Sequence, residues 1–398
     1  MTERLISFFG LLTMIGLAWL ISESRRKMNL RLILSGVGLQ LILGVLLIGS
    51  PLKEPAFEVA RKLIGGLMDC SDAGASMVFG EDLVEGHFAF SVLPMIIFFS
   101  SLTAVLFHLH VLQFLVRVMA RVMVWVMDVA GAESLCASAN VFLGMTTAPL
   151  VVRPYLPSMT RSEIMAMMTG GMATAAGSTM PAYVKFGADP GHLLVASIMS
   201  APASLVIAKI MVPETEDSPT KGTVKVEVAR PDVNILDAAC RGAAEGLKLA
   251  LNVAAMLIAF IALVTLVNWM LVPTGYLLGE ALTLQRIFGW LFSPVAWIMG
   301  VEWKDAHSVG ILLGEKTVVN EFVAFSNLAK YELSPRSFTI ATYALCGFAN
   351  FGSIAVMIGG VSGLAPERRK DFAKYGLRSM IGGALAAFMT ASIAGMLI

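Results

Sequence analysis

Three polar side chains in the second half of the chain could together bind a solute rich in hydroxyl groups. Glu321 lies in the apolar run NEFVAF, and Asn350 and Ser353 lie further along in ANFGS. A carboxylate, an amide and a hydroxyl together accept and donate the several hydrogen bonds that a polyhydroxylated molecule needs. An ionisable side chain at membrane depth costs at least about 2.5 kcal/mol, so Glu321 is a functional candidate by default.

Neutral oxygen donors in the first half suit a different ligand, a hard monovalent cation. Asn140 lies in SANVFL, Thr146 and Thr147 lie in GMTTAPL, and Ser178 lies in GSTMPAY. Hard cations prefer carbonyl, amide and hydroxyl oxygens to sulfur or imidazole. The two halves of the chain therefore offer two complementary kinds of site.

Each of these residues also has a purely structural interpretation. Ser and Thr in membrane helices usually bond back to their own helix, and Asn often joins one helix to another. For Glu321 the structural alternative is an ion pair with Lys316, about one and a half helical turns away. Glu133 is expected at a membrane interface, with little prospect of a functional role.

The elements that position these residues must lie in a membrane. Of 398 residues, 57% are hydrophobic and 14% are charged, whereas soluble domains have about 45–50% and about 25%. Apolar stretches near the length of about 20 residues that a spanning helix needs occur at 5–22, 31–49, 92–125, 190–212, 248–272 and 375–398. Segment 57–80 is amphipathic and is predicted to lie along the interface, as 235–247 is.

Two irregular apolar regions, 134–186 and 307–363, share one pattern. Each has a short apolar segment with an Asn, then a turn with an Arg, then a helix interrupted at a Gly-Ser pair. The pairs are Gly177-Ser178 and Gly352-Ser353. Paired interrupted segments in two halves of a membrane protein indicate a transporter whose site lies near the bilayer midplane.

Several other classes of protein find no support in the sequence. The net charge of +1 argues against a nucleic-acid partner, which calls for a clustered basic face. The four Cys lie far apart, and HExxH, GxSxG and Walker A motifs do not occur, so nothing supports an enzyme. By the positive-inside rule, the basic segments 23–31 and 366–371 place both termini outside.

Five ordered segments of the chain resemble the concentrative nucleoside transporter family. They are VLPMIIFFSSLTAVLFHL (92–109), AESLCASANVFLGMTTAPLVVRPY (132–155), EGLKLALNVAAMLIAFIALV (245–264), NEFVAF (320–325) and YALCGFANFGSIAVMIGG (343–360). The similarity runs from the first helix to the last.

The resemblance implies an all-α polytopic protein of about eight transmembrane helices, with two re-entrant hairpins in inverted repeats and two broken helices. It implies a homotrimer in the inner (plasma) membrane that imports nucleosides by an elevator-type motion, driven by sodium or, alternatively, by protons. The predicted domains are scaffold helices with an interfacial helix (1–125), a first transport repeat (126–212), a polar linker (213–234), an interfacial and scaffold helix (235–290) and a second transport repeat (291–398). The hairpins are expected near 134–156 and 307–330, and the broken helices near 161–186 and 337–360.

The resemblance also implies roles for individual residues. The sodium site would use the side chains of Asn140 and Ser178 with the carbonyls of Leu143 and Thr179. Glu321, Asn350 and Ser353 would hold the ribose, and Phe348 would pack near the base.

The first hairpin departs from the family pattern. Its tip usually reads Gly-Gln-Thr-Glu-Ala-Pro-Leu in nucleoside transporters, whereas here Met145 and Thr147 flank Thr146. Losing a carboxylate removes a charge-assisted contact to the base, so base selectivity is predicted to change, toward purine nucleosides or another ribose-like solute. Three alternatives stay open: a transporter, a membrane sensor or interaction protein that kept the fold, and a passive pore.

Overall fold

The computed structural model describes residues 2–222, 232–275 and 281–398, and the regular structure in these ranges is helical. The first helices are α1 (Thr2–Leu20), α2 (Leu30–Leu47), α3 (Lys53–Phe79), α4 (Glu81–Gly86), α5 (Phe88–His108), α6 (Val111–Met127), α7 (Gly131–Leu143), α8 (Arg161–Ala173) and α9 (Met180–Lys185). The others are α10 (Pro190–Met211), α11 (Ile235–Leu271), α12 (Leu284–Ile298), α13 (Trp303–Val318), α14 (Glu321–Leu328), α15 (Pro335–Leu345), α16 (Phe351–Ser362) and α17 (Arg369–Leu397). A 3₁₀ segment, Ala148–Ser158, follows α7.

Within the described ranges, six helices are long and apolar enough to cross a bilayer: α1, α2, α5, α10, α11 and α17. The two predicted broken helices, α8 with α9 and α15 with α16, are present in addition to these six. α10 and α17 are largely buried inside the protein, whereas only 11% of the apolar window of α11 is buried. In a membrane protein, such exposed apolar surface faces lipid or another subunit.

The predicted single span over 92–125 is wrong, because two helices occupy it. α5 ends at His108, and His110 adopts a left-handed conformation with φ of 65° before α6 begins. α6 is amphipathic: it buries Leu112, Val116 and Ala120 at helical spacing and exposes Arg117 and Arg121. No Gly or Pro marks the break in the sequence, so a continuous apolar run concealed it.

An amphipathic helix occurs over 57–80 as predicted, its position along the interface stays a prediction, and the second predicted interfacial segment is not a separate element. α3 buries only a stripe containing Phe57, Ile64 and Ala75, as an amphipathic interfacial helix should. Residues 235–247, in contrast, form no separate element, because α11 continues from Ile235 to Leu271 without a break.

α11 packs closely against α5 through two glycines. A Cβ added at Gly242 would lie 2.7 Å from the Ser100 carbonyl oxygen, and one at Gly246 would lie 2.7 Å from the Ile97 Cα. Small residues at such positions let helix backbones approach closely in a membrane, where lipid supplies no hydrophobic drive. The α5–α11 pair is thus a tightly packed unit.

α1 and α2 pack elsewhere, against α10 and α17. Gly44 of α2, for example, faces Leu397 and Ile393 of α17 and Met199 of α10. The assignment of 1–125 to a scaffold stays a prediction, and this packing favours grouping α1 and α2 with the transport repeats.

Both repeats contain the predicted re-entrant hairpin and broken helix. Hairpin 1 consists of α7, a turn at 144–147 and the 3₁₀ segment, and the following helix is interrupted at 174–179 between α8 and α9. Hairpin 2 consists of α13 and α14, and its following helix is interrupted at 346–350 between α15 and α16. The first interruption includes Gly177-Ser178 as predicted.

In the second repeat the predicted break point is wrong. Gly352 and Ser353 lie in the first turn of α16, just after the interruption. The two asparagines are not equivalent either: Asn140 lies in the last turn of the first arm of hairpin 1, whereas Asn320 caps the second arm of hairpin 2.

Candidate solute and cation site

Glu321 is the first residue of α14, and Asn320 caps that helix by accepting a hydrogen bond from the Val323 amide at 3.0 Å. The Glu321 side chain is 2% exposed. A carboxylate at a helix N-terminus is stabilised by the free amides and the helix dipole. This placement makes a buried acid at membrane depth tolerable.

Both oxygens of the Glu321 carboxylate receive a hydrogen bond from another element. Asn350 Nδ2 donates to Oε2 at 3.0 Å, and the Tyr183 hydroxyl donates to Oε1 at 3.3 Å. Asn350 is also the cap of α16, since its Oδ1 accepts from the Ser353 amide at 2.8 Å. The fold therefore brings Glu321, Asn350 and Ser353 together at the N-termini of two short helices.

The Lys316 ammonium group bonds to backbone carbonyls and does not form the ion pair with Glu321 that the structural alternative predicted. Its Nζ donates to the Ala344 carbonyl at 2.8 Å and to the Cys346 carbonyl at 3.5 Å. These carbonyls lie where α15 ends, and an interrupted helix leaves such groups without intrahelical partners. Lys316 thus stabilises the broken backbone, and Glu321 remains directed toward Asn350 and Tyr183.

The two interrupted segments touch each other. Gly347 has φ of 116°, and a Cβ there would lie 2.6 Å from the Ala173 carbonyl oxygen at the end of α8. Phe348, in the same interruption, is 8% exposed. The site is therefore built where the two repeats meet, as expected for a binding site at a repeat interface.

The tip of hairpin 1 lies against α16. Met145 packs beside Gly171, together with the Met357 side chain, and a Cβ at Gly360 would lie 3.2 Å from Thr146 Cγ2. Met357 and Gly360 follow Asn350 by two to three turns of α16, which is about 10–15 Å at 1.5 Å per residue. The tip and the Glu321–Asn350 pair therefore contact opposite ends of one short helix.

Thr147 closes the turn of the hairpin. Its amide donates to the Gly144 carbonyl at 3.3 Å, and it precedes the 3₁₀ segment. Gly144 has φ of 81°, and a Cβ there would lie 2.8 Å from Ala176 Cβ. The turn conformation and the close approach to the first interruption both require glycine.

Asn140 carries an unpaired buried acceptor. Its side chain is fully buried and its Oδ1 has no hydrogen-bond partner, while Nδ2 lies 3.8 Å from Cys136 Sγ. A buried acceptor left without a partner costs about 1–3 kcal/mol. An amide oxygen in this condition suits a cation ligand.

The other predicted cation ligands lie on segments joined to α7. The Gly177 amide donates to the Phe142 carbonyl at 3.1 Å, which ties the first interruption to the end of hairpin 1's first arm. Ser178 and Thr179 occupy that interruption, and Leu143 is the last residue of α7, where carbonyls are free and the dipole favours positive charge. Amide, hydroxyl and carbonyl oxygens together fit a hard monovalent cation.

Two features of this region escaped the sequence reasoning. Tyr183 was not singled out, although an aromatic just after an interrupted segment was the available signal. The second feature is a buried ion pair: Glu133 is 1% exposed and pairs with Lys209 at 2.7 Å, and Lys209 also contacts Glu214 at 3.1 Å. This buried pair joins the start of α7 to the end of α10.

Three family models cover almost the whole chain. They describe the "Na+ dependent nucleoside transporter N-terminus" at residues 9–82, "Nucleoside recognition" at 89–190 and the "Na+ dependent nucleoside transporter C-terminus" at 192–395. Among curated relatives, the chain is 42% identical to the uncharacterized transporter YutK of Bacillus subtilis, over 98% of both chains. It is 41% identical to solute carrier family 28 member 3 of Rattus norvegicus and 39% identical to sodium/nucleoside cotransporter 1 of Homo sapiens, each over 99% of this chain. The chain spans 59% and 64% of the length of these two mammalian relatives.

Solved structures agree with these matches. CNTnw in an inward-facing substrate-bound state aligns with a TM-score of 0.93 at 41% identity, over 99% of this chain and 98% of that one. A double mutant of CNTnw in an outward-facing state aligns with a TM-score of 0.93 at 40% identity, over 100% and 98%. This multi-pass membrane protein therefore belongs to the sodium-dependent nucleoside transporter family, which is a family of transporters and not of enzymes.

Proposed function

We propose that this protein is a cation-coupled secondary active transporter that imports a nucleoside or a closely related ribose-containing solute across the plasma membrane. The observation that carries the proposal is the Glu321–Asn350 pair, buried at the meeting point of two helix N-termini. Each carboxylate oxygen can accept a further hydrogen bond, so the pair can bind adjacent hydroxyl groups. Vicinal hydroxyls of a ribose fit this arrangement.

Sodium is the proposed coupling ion. The chain belongs to a sodium-dependent family, and Asn140 offers an unpaired oxygen beside the segment that holds Ser178 and Thr179. Leu143 and Thr179 are proposed to add their carbonyl oxygens. A proton is the less favoured ion, because Glu321, the acid at the site, is engaged with Asn350 and Tyr183.

The base end of the solute is proposed to meet the tip of hairpin 1. The tip that holds Met145, Thr146 and Thr147 meets α16 two to three turns beyond Asn350, a rise of about 10–15 Å along the helix axis, so a solute bound by Glu321 and Asn350 is proposed to extend along α16 to the tip. A site built to hydrogen-bond a group of the solute rejects solutes without that group. A site that has lost its own hydrogen-bonding side chain no longer rejects them. Met145 and Thr147 therefore favour a base, or another substituent, with fewer polar groups at this end, and Phe348 is proposed to contact it.

Alternating access is proposed to follow an elevator-type motion of the two repeats. CNTnw and its mutants have been solved in inward-facing, intermediate and outward-facing states, which supports alternation. A homotrimer is also proposed from the family resemblance, and α11 exposes a broad apolar surface, including Leu251, Ile258 and Trp269, that can face either lipid or another subunit. Native mass spectrometry of the protein in lipid nanodiscs tests the trimer.

Uptake into proteoliposomes tests the function. Radiolabelled uridine, adenosine and free ribose are supplied with an inward sodium gradient, with a choline gradient, and with a proton gradient in choline. We expect concentrative uptake of at least one nucleoside with sodium only, lost in Glu321→Gln and reduced in Asn140→Ala through weaker sodium dependence. Equilibration without accumulation would indicate a passive pore, and binding without uptake would indicate a sensor.

A further inference from the structure

Tyr183 connects the two repeats at the solute site. It lies in α9 of the first repeat, its ring is fully buried, and its hydroxyl donates to Glu321 of the second repeat at 3.3 Å. The two residues are 138 positions apart in the chain. The contact therefore exists only because the repeats are packed together.

Aromatic contacts hold the Tyr183 ring against α14, the helix that begins with Glu321. The ring stacks on Phe325 with centroids 4.4 Å apart and an interplanar angle of 17°, and meets Phe322 edge-on at 5.1 Å. Glu321 and Phe325 are separated by four residues, so they share one face of α14. Tyr183 thus touches this face at two points, through its ring and through its hydroxyl.

Tyr183 also follows the proposed cation ligands Ser178 and Thr179 closely in the chain. α9 begins at Met180, immediately after Ser178 and Thr179, and Tyr183 lies one helical turn further along. The Thr179 hydroxyl and amide both bond the Ala176 carbonyl, at 2.9 and 3.0 Å, so the interruption leads into α9 through an ordered turn. A cation that orders Ser178 and Thr179 would therefore also set the position of Tyr183.

We propose that Tyr183 is a positioning residue that couples cation occupancy to the affinity of Glu321 for the solute. The inference rests on the proposed function and identifies the residue through which the cation site would affect the solute site. The Tyr183 hydroxyl and Asn350 hold one carboxylate oxygen each, which fixes the carboxylate plane and leaves one acceptor position on each oxygen for solute hydroxyls. Because coupling between two sites is reciprocal, the solute would strengthen sodium binding by the same factor.

Tyr183→Phe is the test, because it removes the hydroxyl and keeps the aromatic stack. The control is Tyr343→Phe, a second buried tyrosine, whose hydroxyl lies 3.1 Å from His192 Nδ1 and not at Glu321. The nucleoside KM is measured in proteoliposomes at a series of sodium concentrations for both variants and for the wild type.

For Tyr183→Phe we expect the KM at saturating sodium to rise about tenfold, the effect of losing one hydrogen bond to a charged group. We also expect the sodium dependence of KM to flatten, with the maximal rate per transporter unchanged. The control should behave as the wild type. With 2′-deoxy and 3′-deoxy nucleosides, the penalty should disappear for the analogue that lacks the hydroxyl bound by Glu321.

Two results would overturn the inference while leaving the proposed function intact. One is wild-type KM and sodium dependence in Tyr183→Phe, and the other is an equal defect in Tyr183→Phe and Tyr343→Phe. Should Tyr183→Phe not assemble, Phe325→Leu loosens the ring contact and should shift KM and sodium dependence in the same direction. Wild-type protein that neither binds nor takes up any nucleoside would refute the proposed function and this inference together.

Discussion

Asn350 performs two tasks that can be separated by substitution. Its Oδ1 caps α16 through the Ser353 amide at 2.8 Å, and its Nδ2 donates to Glu321 at 3.0 Å. Serine is also a good helix cap but cannot reach and donate as the amide does. Asn350→Ser therefore removes the contact with Glu321 and keeps the cap, whereas Asn350→Ala removes both.

The magnitudes follow from these two bonds. A hydrogen bond to a charged group contributes about 1.5–3 kcal/mol, which corresponds to a change of about 10- to 150-fold in affinity. A lost helix cap costs about 1 kcal/mol of stability, which is about 1 °C in Tm for a chain of 398 residues at about 2.1 cal/mol/K of unfolding entropy per residue. Both variants should raise the nucleoside KM by a similar factor and lower Tm through the lost bond to Glu321, and Asn350→Ala should lower Tm further than Asn350→Ser by the contribution of the cap.

Two assays separate the effects. Uptake kinetics in proteoliposomes report KM, and thermal unfolding in detergent without solute reports Tm. A KM for Asn350→Ser equal to that of the wild type would refute the assignment of Asn350 to solute binding. A larger drop in Tm for Asn350→Ser than for Asn350→Ala would refute the capping argument.

Three further predictions concern other parts of the structure. Met145→Gln/Thr147→Glu restores polar groups at the hairpin tip and should raise uridine uptake relative to purine nucleosides, measured as competing uptake in proteoliposomes. Lys209→Met leaves the Glu133 carboxylate buried at 1% exposure without its partner, and should destabilise the protein by about 3–5 kcal/mol in thermal unfolding. Gly347→Ala would place a Cβ 2.6 Å from a backbone carbonyl oxygen at φ of 116°, and should abolish a monodisperse peak in size-exclusion chromatography.

Matched variants control each of these results. Equal uridine uptake before and after the double change at the hairpin tip would refute the selectivity argument. Glu133→Leu/Lys209→Met removes both buried charges and should be milder than Lys209→Met alone; an equal or greater loss would contradict the ion-pair reasoning. Gly359→Ala, whose added Cβ meets nothing within 4 Å, should behave as the wild type, and a normal Gly347→Ala protein would contradict the packing argument.

The sequence alone determined the features that depend on local composition and spacing. Charge depletion and apolar length indicated a membrane protein with six apolar stretches of near-spanning length, and clustered Gly, Pro, Asn and Ser marked two irregular regions, each with an interrupted helix. Hydropathy and helix-breaking residues act over a few turns of chain, so these signals can be read without a structure. The resemblance to a family then supplied the candidate residues Asn140, Ser178, Glu321, Asn350 and Ser353.

Only the tertiary structure decided which groups meet. Glu321 contacts Asn350 and Tyr183 across 29 and 138 residues of chain, and Glu133 pairs with Lys209 of a distant helix. Lys316 donates hydrogen bonds to carbonyls of a broken helix. The residues next to it in the sequence do not indicate this contact. Pairings of this kind arise because buried polar groups must find partners wherever the packing of distant segments supplies them, and local sequence carries no record of that choice.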